Sequence, residues 1–226
     1  EGDIDINSGL KAAGAVTVHA YKADAVATSK GDINIDGNVT AGTAVDIAAS
    51  TGNVTIGGTT ASNVQAGTGL AVKTLTDGDV AVTGQLVTTG ADASTVTVQA
   101  TEGNVTLTKS GSADEVIKSA KDVSISASDS GAADENVGDI LVKGNVLGNT
   151  SVTINTDQGD ITLGTSGDGG VATAVQAGTT LDVSTTMAGN ITVNGNLATL
   201  DAKTGTISVS ATDGNVTLTT AGNKAY

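Results

Sequence analysis

Between Gly31 and Ile56 the chain reads GDINIDGNVTAGTAVDIAASTGNVTI. Aliphatic residues fall at Ile33 and Ile35, at Val39, at Val45 and Ile47, and again at Val54 and Ile56, with polar or small residues between them. A period of two, not 3.6, predicts short strands with one face turned inward. Glycine followed by Asp or Asn opens the first and last of these runs, which predicts a tight corner before each.

The unit Gly-Asx-aliphatic-x-aliphatic returns at Gly2, Gly31, Gly52, Gly78, Gly103, Gly138, Gly159, Gly189 and Gly214, with spacings of 29, 21, 26, 25, 35, 21, 30 and 25 residues. A repeat of this length that tolerates insertion is the signature of a solenoid. A second strand precedes most restarts: Val16-Val18, Val45-Ile47, Leu70-Val72, Val96-Val98, Val123-Ile125, Val152-Ile154, Leu181-Val183 and Ile207-Val209. A weaker third position lies between the two, at Val39, Val64, Leu86, Val116, Val146, Val175 and Leu197. Three short strands joined by corners make one coil, and coils stack in parallel about 4.8 Å apart. Eight full coils and a partial ninth would stand roughly 40 Å tall on that spacing. Related segments such as NVQAGTGLAV at Asn63 and AVQAGTTLDV at Ala174 suggest that the larger repeat is a pair of unlike coils.

Side-chain chemistry fits stacking. Inward positions carry Val, Ile and Leu, which suit a pleated surface and bury their faces only against neighbouring coils. Thr17, Thr55, Thr97, Thr106, Thr153, Thr162, Thr192 and Thr217 fall at outward positions. Asx side chains at the corners are expected to bond local backbone. Proline is absent, as a continuous ladder requires. Residues outside the repeat should leave as loops, at 19–30, 109–114, 127–137 and 165–173, from a single solenoid domain spanning 1–226.

Composition narrows the function. The chain has no Cys, Trp or Phe, its ten basic residues are all Lys, and its only aromatic side chains besides His19 are Tyr21 and Tyr226. A net charge of −14 disfavours nucleic acid and anionic membrane surfaces as partners. No long apolar run predicts membrane insertion, and no signal peptide is present. A start at Glu1 instead of Met predicts a processed chain or a piece of a longer one.

Candidate chemistry is sparse. Asn-x-Ser/Thr occurs at Asn38, Asn53, Asn104, Asn149, Asn190 and Asn215, but Gly-Asn-Val-Thr is also what a corner followed by a strand looks like. Ser166 to Gly170 is one degenerate copy of a calcium-binding turn whose geometry needs copies in consecutive coils. Asp114-Glu115 and Asp134-Glu135 read as solvated loop charge. His19 is the single histidine, follows a strand, and should point outward beside Tyr21. Without a second His or any Cys, a transition-metal centre is not expected. Thr-x-Thr arrays of the kind that bind ice are not sustained from coil to coil. No nucleophile elbow is present, and the arginines and aromatic rings of carbohydrate-active clefts are missing. The sequence therefore assigns no catalytic, cofactor-binding or metal-ligating residue, and predicts no cofactor.

The runs GDINIDGNVTAGTAVDIAASTGNVTIGG and GNITVNGNLATLDAKTGTISVSATDGNVTLTT resemble the repeat region of filamentous haemagglutinin and related bacterial adhesins, over nearly all of Gly2 to Thr220. The resemblance implies an all-β, right-handed parallel β-helix of about eight to nine three-strand coils, exported to the bacterial cell surface as part of a long shaft. No receptor-binding residue carries over from it, and the amino-terminal secretion domain of that family is not recognisable here. No capping helix is evident at either end, so the end coils should expose unpaired backbone rows. The expected partners are then neighbouring segments of a longer chain, or further copies stacked end to end in a filament. The competing expectation is a module that binds glycans through its projecting loops, and a polysaccharide-active enzyme stands third.

Overall fold

The computed structural model describes residues 2–21, 29–58, 60–90, 94–110, 114–129, 138–165 and 173–219. Among these residues every regular element is a strand, and every named strand pairing is parallel. The protein is a parallel β-solenoid with three strand-built faces around one narrow apolar core.

The first face begins with Ile4–Ile6, pairs it to Ile33–Ile35 and then Val54–Ile56, and ends at Val216–Thr219. The second begins with Leu10–Ala12 and Val39–Ala41. The third is an eight-stranded sheet from Val16–Ala20 to Thr206–Asp213. Two long strands, Val80–Thr88 and Ile191–Thr199, round a corner at Gly84 and Gly195 and serve the first and second faces together. They join those two faces into one continuous sheet.

Register follows the alternation in the sequence. On the third face Val18, Ile47, Val72, Val98, Ile125, Ile154, Val183 and Val209 pair in one row. On the first face Ile33, Val54, Val80, Val105, Ile140, Ile161 and Ile191 do the same, and each is essentially inaccessible to solvent. One coil offers no partner for such a row, and a coil above and below buries it completely. The core needs no aromatic residue because inward rows from three faces meet across a thin interior.

One inward position differs from the sequence reading. The second-face row runs Val64, Leu86, Ile117, Val146, Val175 and Leu197, with Ile117 where Val116 was expected. A β-bulge between Glu115 and Ile117 shifts the register, and both Val116 and Ile117 are fully buried. A bulge lets two consecutive residues face one partner position, so two adjacent aliphatic side chains enter the core.

Four stretches lie near the expected loops. His19 and Ala20 belong to the strand Val16–Ala20, and Lys30 bridges to Thr51. Ala127 and Ser128 close the strand Asp122–Ser128, and Thr173 opens Thr173–Ala177. Lys109 and Asp114 pair at 3.1 Å. The interiors of these expected loops, 22–28, 111–113, 130–137 and 166–172, lie outside the described residues.

Candidate functional site

The corner that opens each coil carries the most regular polar feature of the molecule. Backbone N–H groups of Asp32, Asn53, Asp79, Asn104, Asp139, Asp160, Asn190 and Asn215 each donate to the Oδ1 of the Asx residue one coil earlier, at 2.6 to 3.0 Å. The ladder runs unbroken from Asp3 to Asn215. Its partners are 21 to 35 residues apart, so the bonding is between coils and not local as the sequence suggested. The reason is geometric: a parallel stack sets equivalent corners one strand spacing apart, within reach of a short carboxyl or amide side chain. Asp and Asn serve alike because each presents an acceptor oxygen.

The preceding glycines are required by the same stacking. Gly159 has φ +103°, and a Cβ there would lie 2.6 to 2.9 Å from the carbonyl carbon and oxygen of Gly138 and the nitrogen of Asp139. A second type of corner bond comes from buried threonines. Thr74 Oγ1 donates to the Gly78 carbonyl at 2.9 Å, Thr156 Oγ1 to the Gly138 carbonyl at 2.7 Å, and Thr185 Oγ1 to the Gly189 carbonyl at 3.3 Å. The sequence reading placed threonines on the outside only. A Thr four residues before a corner glycine, as at Thr74 and Thr185, is the signal that marks two of these inward ones.

Adjacent carboxylates in the ladder repel. Burial raises the Asp139 carboxyl above the ordinary value of 3.8, and the charge of Asp160 adds to that, against the hydrogen bond from the Asp160 N–H. Because the folded value is raised, the ionised side chain costs stability, and the cost is present at neutral pH and vanishes as pH falls below the unfolded value. Asp139→Asn keeps the acceptor and removes the charge. It should therefore stabilise the protein at pH 7 by about 0.5 kcal/mol, a figure kept small because the group is half-exposed and screened. Chemical denaturation at pH 7 and pH 3 checks this: the gain should disappear at the lower pH.

A second polar cluster sits at the amino-terminal end of the third face. The His19 Nε2 donates to Asp46 Oδ2 at 2.8 Å, and Lys73 Nζ lies 3.1 Å from Asp46 Oδ1. The His19 and Tyr21 rings stack with centroids 4.7 Å apart. Burial acts to raise the Asp46 carboxyl, but the His19 hydrogen bond and the Lys73 charge outweigh it and hold the group below the ordinary carboxylate value. His19 points outward beside Tyr21, as its place after the strand predicts. Asp46 and Lys73 were not singled out in the sequence. Aligning the third-face strands would have found them, since His19, Asp46 and Lys73 lie within three residues of the strand starts Val16, Val45 and Leu70. With both Asp46 oxygens facing cations, the cluster is a clasp across three coils.

The remaining sequence candidates scatter. Asn53, Asn104, Asn190 and Asn215 are rungs of the ladder, and Asn38 Oδ1 accepts from the Asn63 N–H at 2.9 Å on the second face. Asn149 N–H donates to the Ser119 carbonyl. Asp114 pairs with Lys109, and Glu115 starts a strand. Ser166 to Gly170 and Asp134-Glu135 lie outside the described residues. Among the described residues, no three His, Cys, Asp or Glu side chains converge as a metal site. A shallow groove of about 390 Å³ crosses the second face, lined by Asn145, Ala174, Gln176, Asn196 and Ala198. No helix of the described residues is long and apolar enough to cross a membrane. No family model, curated protein or solved structure matches the chain.

Proposed function

We propose that the chain is a non-catalytic structural rod at the bacterial cell surface, either a section of an adhesin shaft or the subunit of a filament. In this reading the solenoid winds right-handed through eight coils and a partial ninth. The observation that carries it is the ladder from Asp3 to Asn215, which keeps one cross-section along the whole stack. Polar side chains are spent on coil-to-coil bonds, and the His19 cluster is internally paired. A device of this kind maintains length and stiffness. The test is incubation with a panel of acidic and neutral polysaccharides, with newly released chain ends as the readout. No release is expected, and turnover of any member overturns the non-catalytic reading.

A second reading, a module that holds glycans, is favoured by the second-face groove. Its amides at Asn145, Gln176 and Asn196 offer donors and acceptors suited to sugar hydroxyls. Retention on an immobilised neutral glycan, lost in Gln176→Glu, would support it.

A further inference from the structure

The last described coil is built like the others and is open on one side. Ile207 pairs with Leu181, Val216 with Ile191, and Leu218 with Val193, so all three stand in rows whose interior members are fully buried. Yet Ile207 is 47%, Val216 43% and Leu218 63% exposed. At the opposite end, Ile4 and Val16 occupy the same rows and are half-buried. The polar ladder has matching ends. Every Asx Oδ1 from Asp3 to Asn190 receives an N–H from the coil above, so Asn215 presents the next acceptor and Asp3 the next donor.

We infer that the carboxy-terminal coil docks the first coil of a second copy of this chain, head to tail and in ladder register, with the Asp3 N–H on Asn215 Oδ1 and Ile4 above Val216. This rests on the rod reading above and adds the partner, the polarity and the register to it. Another copy is the fitting occupant because the interface is a continuation of the coil-to-coil packing already repeated through the molecule, and the first coil carries the matching cross-section. A heterologous contact of this kind does not close on itself and propagates as a fibre. Both copies carry a charge of −14, so added salt should strengthen the joint by screening their repulsion.

The absence of cysteine makes the register directly testable. Asp5 and Thr217 occupy one outward row of the first face and are exposed. In the joint they would be neighbours about 4.8 Å apart, within the reach of a disulfide, whereas inside one chain they stand at opposite ends. A chain carrying both Asp5→Cys and Thr217→Cys should give a ladder of covalent multimers on oxidation. The two single variants should crosslink only when mixed. Single variants that crosslink alone as readily as the mixture overturn the head-to-tail polarity, and absence of multimers from a chain with unchanged circular dichroism and melting overturns the joint. Without any cysteine, sedimentation at rising concentration should show self-association, weakened roughly tenfold or more by Leu218→Lys, since one buried leucine contributes on that scale. Equal association of that variant overturns the proposal. A chain ending at Thr219 should associate at least as well as the full chain; association gained only on that truncation would mean that residues 220–226 occupy the end, and would also overturn it. None of these failures alters the polysaccharide result, which tests the rod reading separately.

Discussion

Gly159→Ala lowers stability by about 3 kcal/mol, the combined scale of a forbidden backbone conformation and of forced overpacking. The expected loss comes from two sources at one atom. A φ of +103° is unfavourable for any residue with a Cβ, and the added methyl meets three backbone atoms of the coil below at under 3.0 Å. Backbone cannot step aside as a flexible side chain can, so the corner must open. The damage should be local, because each coil contacts only its neighbours. Hydrogen exchange provides the check: amides of Ile140–Lys143 and Ile161–Leu163 should lose protection while those of Val45–Thr51 and Leu70–Asp77 keep theirs. Uniform loss across all coils would show that the array melts as one unit.

Ile154→Ala should cost a similar amount, about 3 kcal/mol, while Asn155→Ala next to it changes stability by less than about 0.5 kcal/mol. Ile154 is fully buried in the inward row of the third face, between Ile125 and Val183, and its neighbours on two coils cannot close the space it would leave. Asn155 pairs with Ser126 and Ser184 on the outward row, and losing its amide opens no cavity. Denaturant midpoints of the two variants measure the contrast. Comparable losses would mean that the inside and outside of this strand are exchanged.

That contrast is readable from the sequence because the side-chain period of a strand is two, and Val152, Ile154, Thr153 and Asn155 already sort themselves by it. The corners are equally legible: nine Gly-Asx pairs cannot be placed in strand interiors without weakening them. The bulge at Glu115 to Ile117 was hidden because Val116 and Ile117 are both aliphatic, and alternation gives no preference between them. The long-range role of the Asx residues was hidden for a different reason. With spacings from 21 to 35 residues, no fixed period links a rung to its acceptor, and only the stacked register brings Asn104 Oδ1 to the Asp139 N–H. The His19–Asp46–Lys73 clasp has the same origin, since each member comes from a different coil.

The unequal coil lengths have a mechanical consequence. Pulled from its two ends, a stack of this kind should peel one turn at a time, each rupture breaking a rung of the corner ladder and freeing the residues of a single turn. With 21 to 35 residues per turn, successive extensions would fall between about 75 and 125 Å at full stretch. The order 29, 21, 26, 25, 35, 21, 30 and 25 is not the same read backwards. A single-molecule force trace would therefore record from which end the thread unwinds, and the long release beginning at Gly103 would mark the place along it.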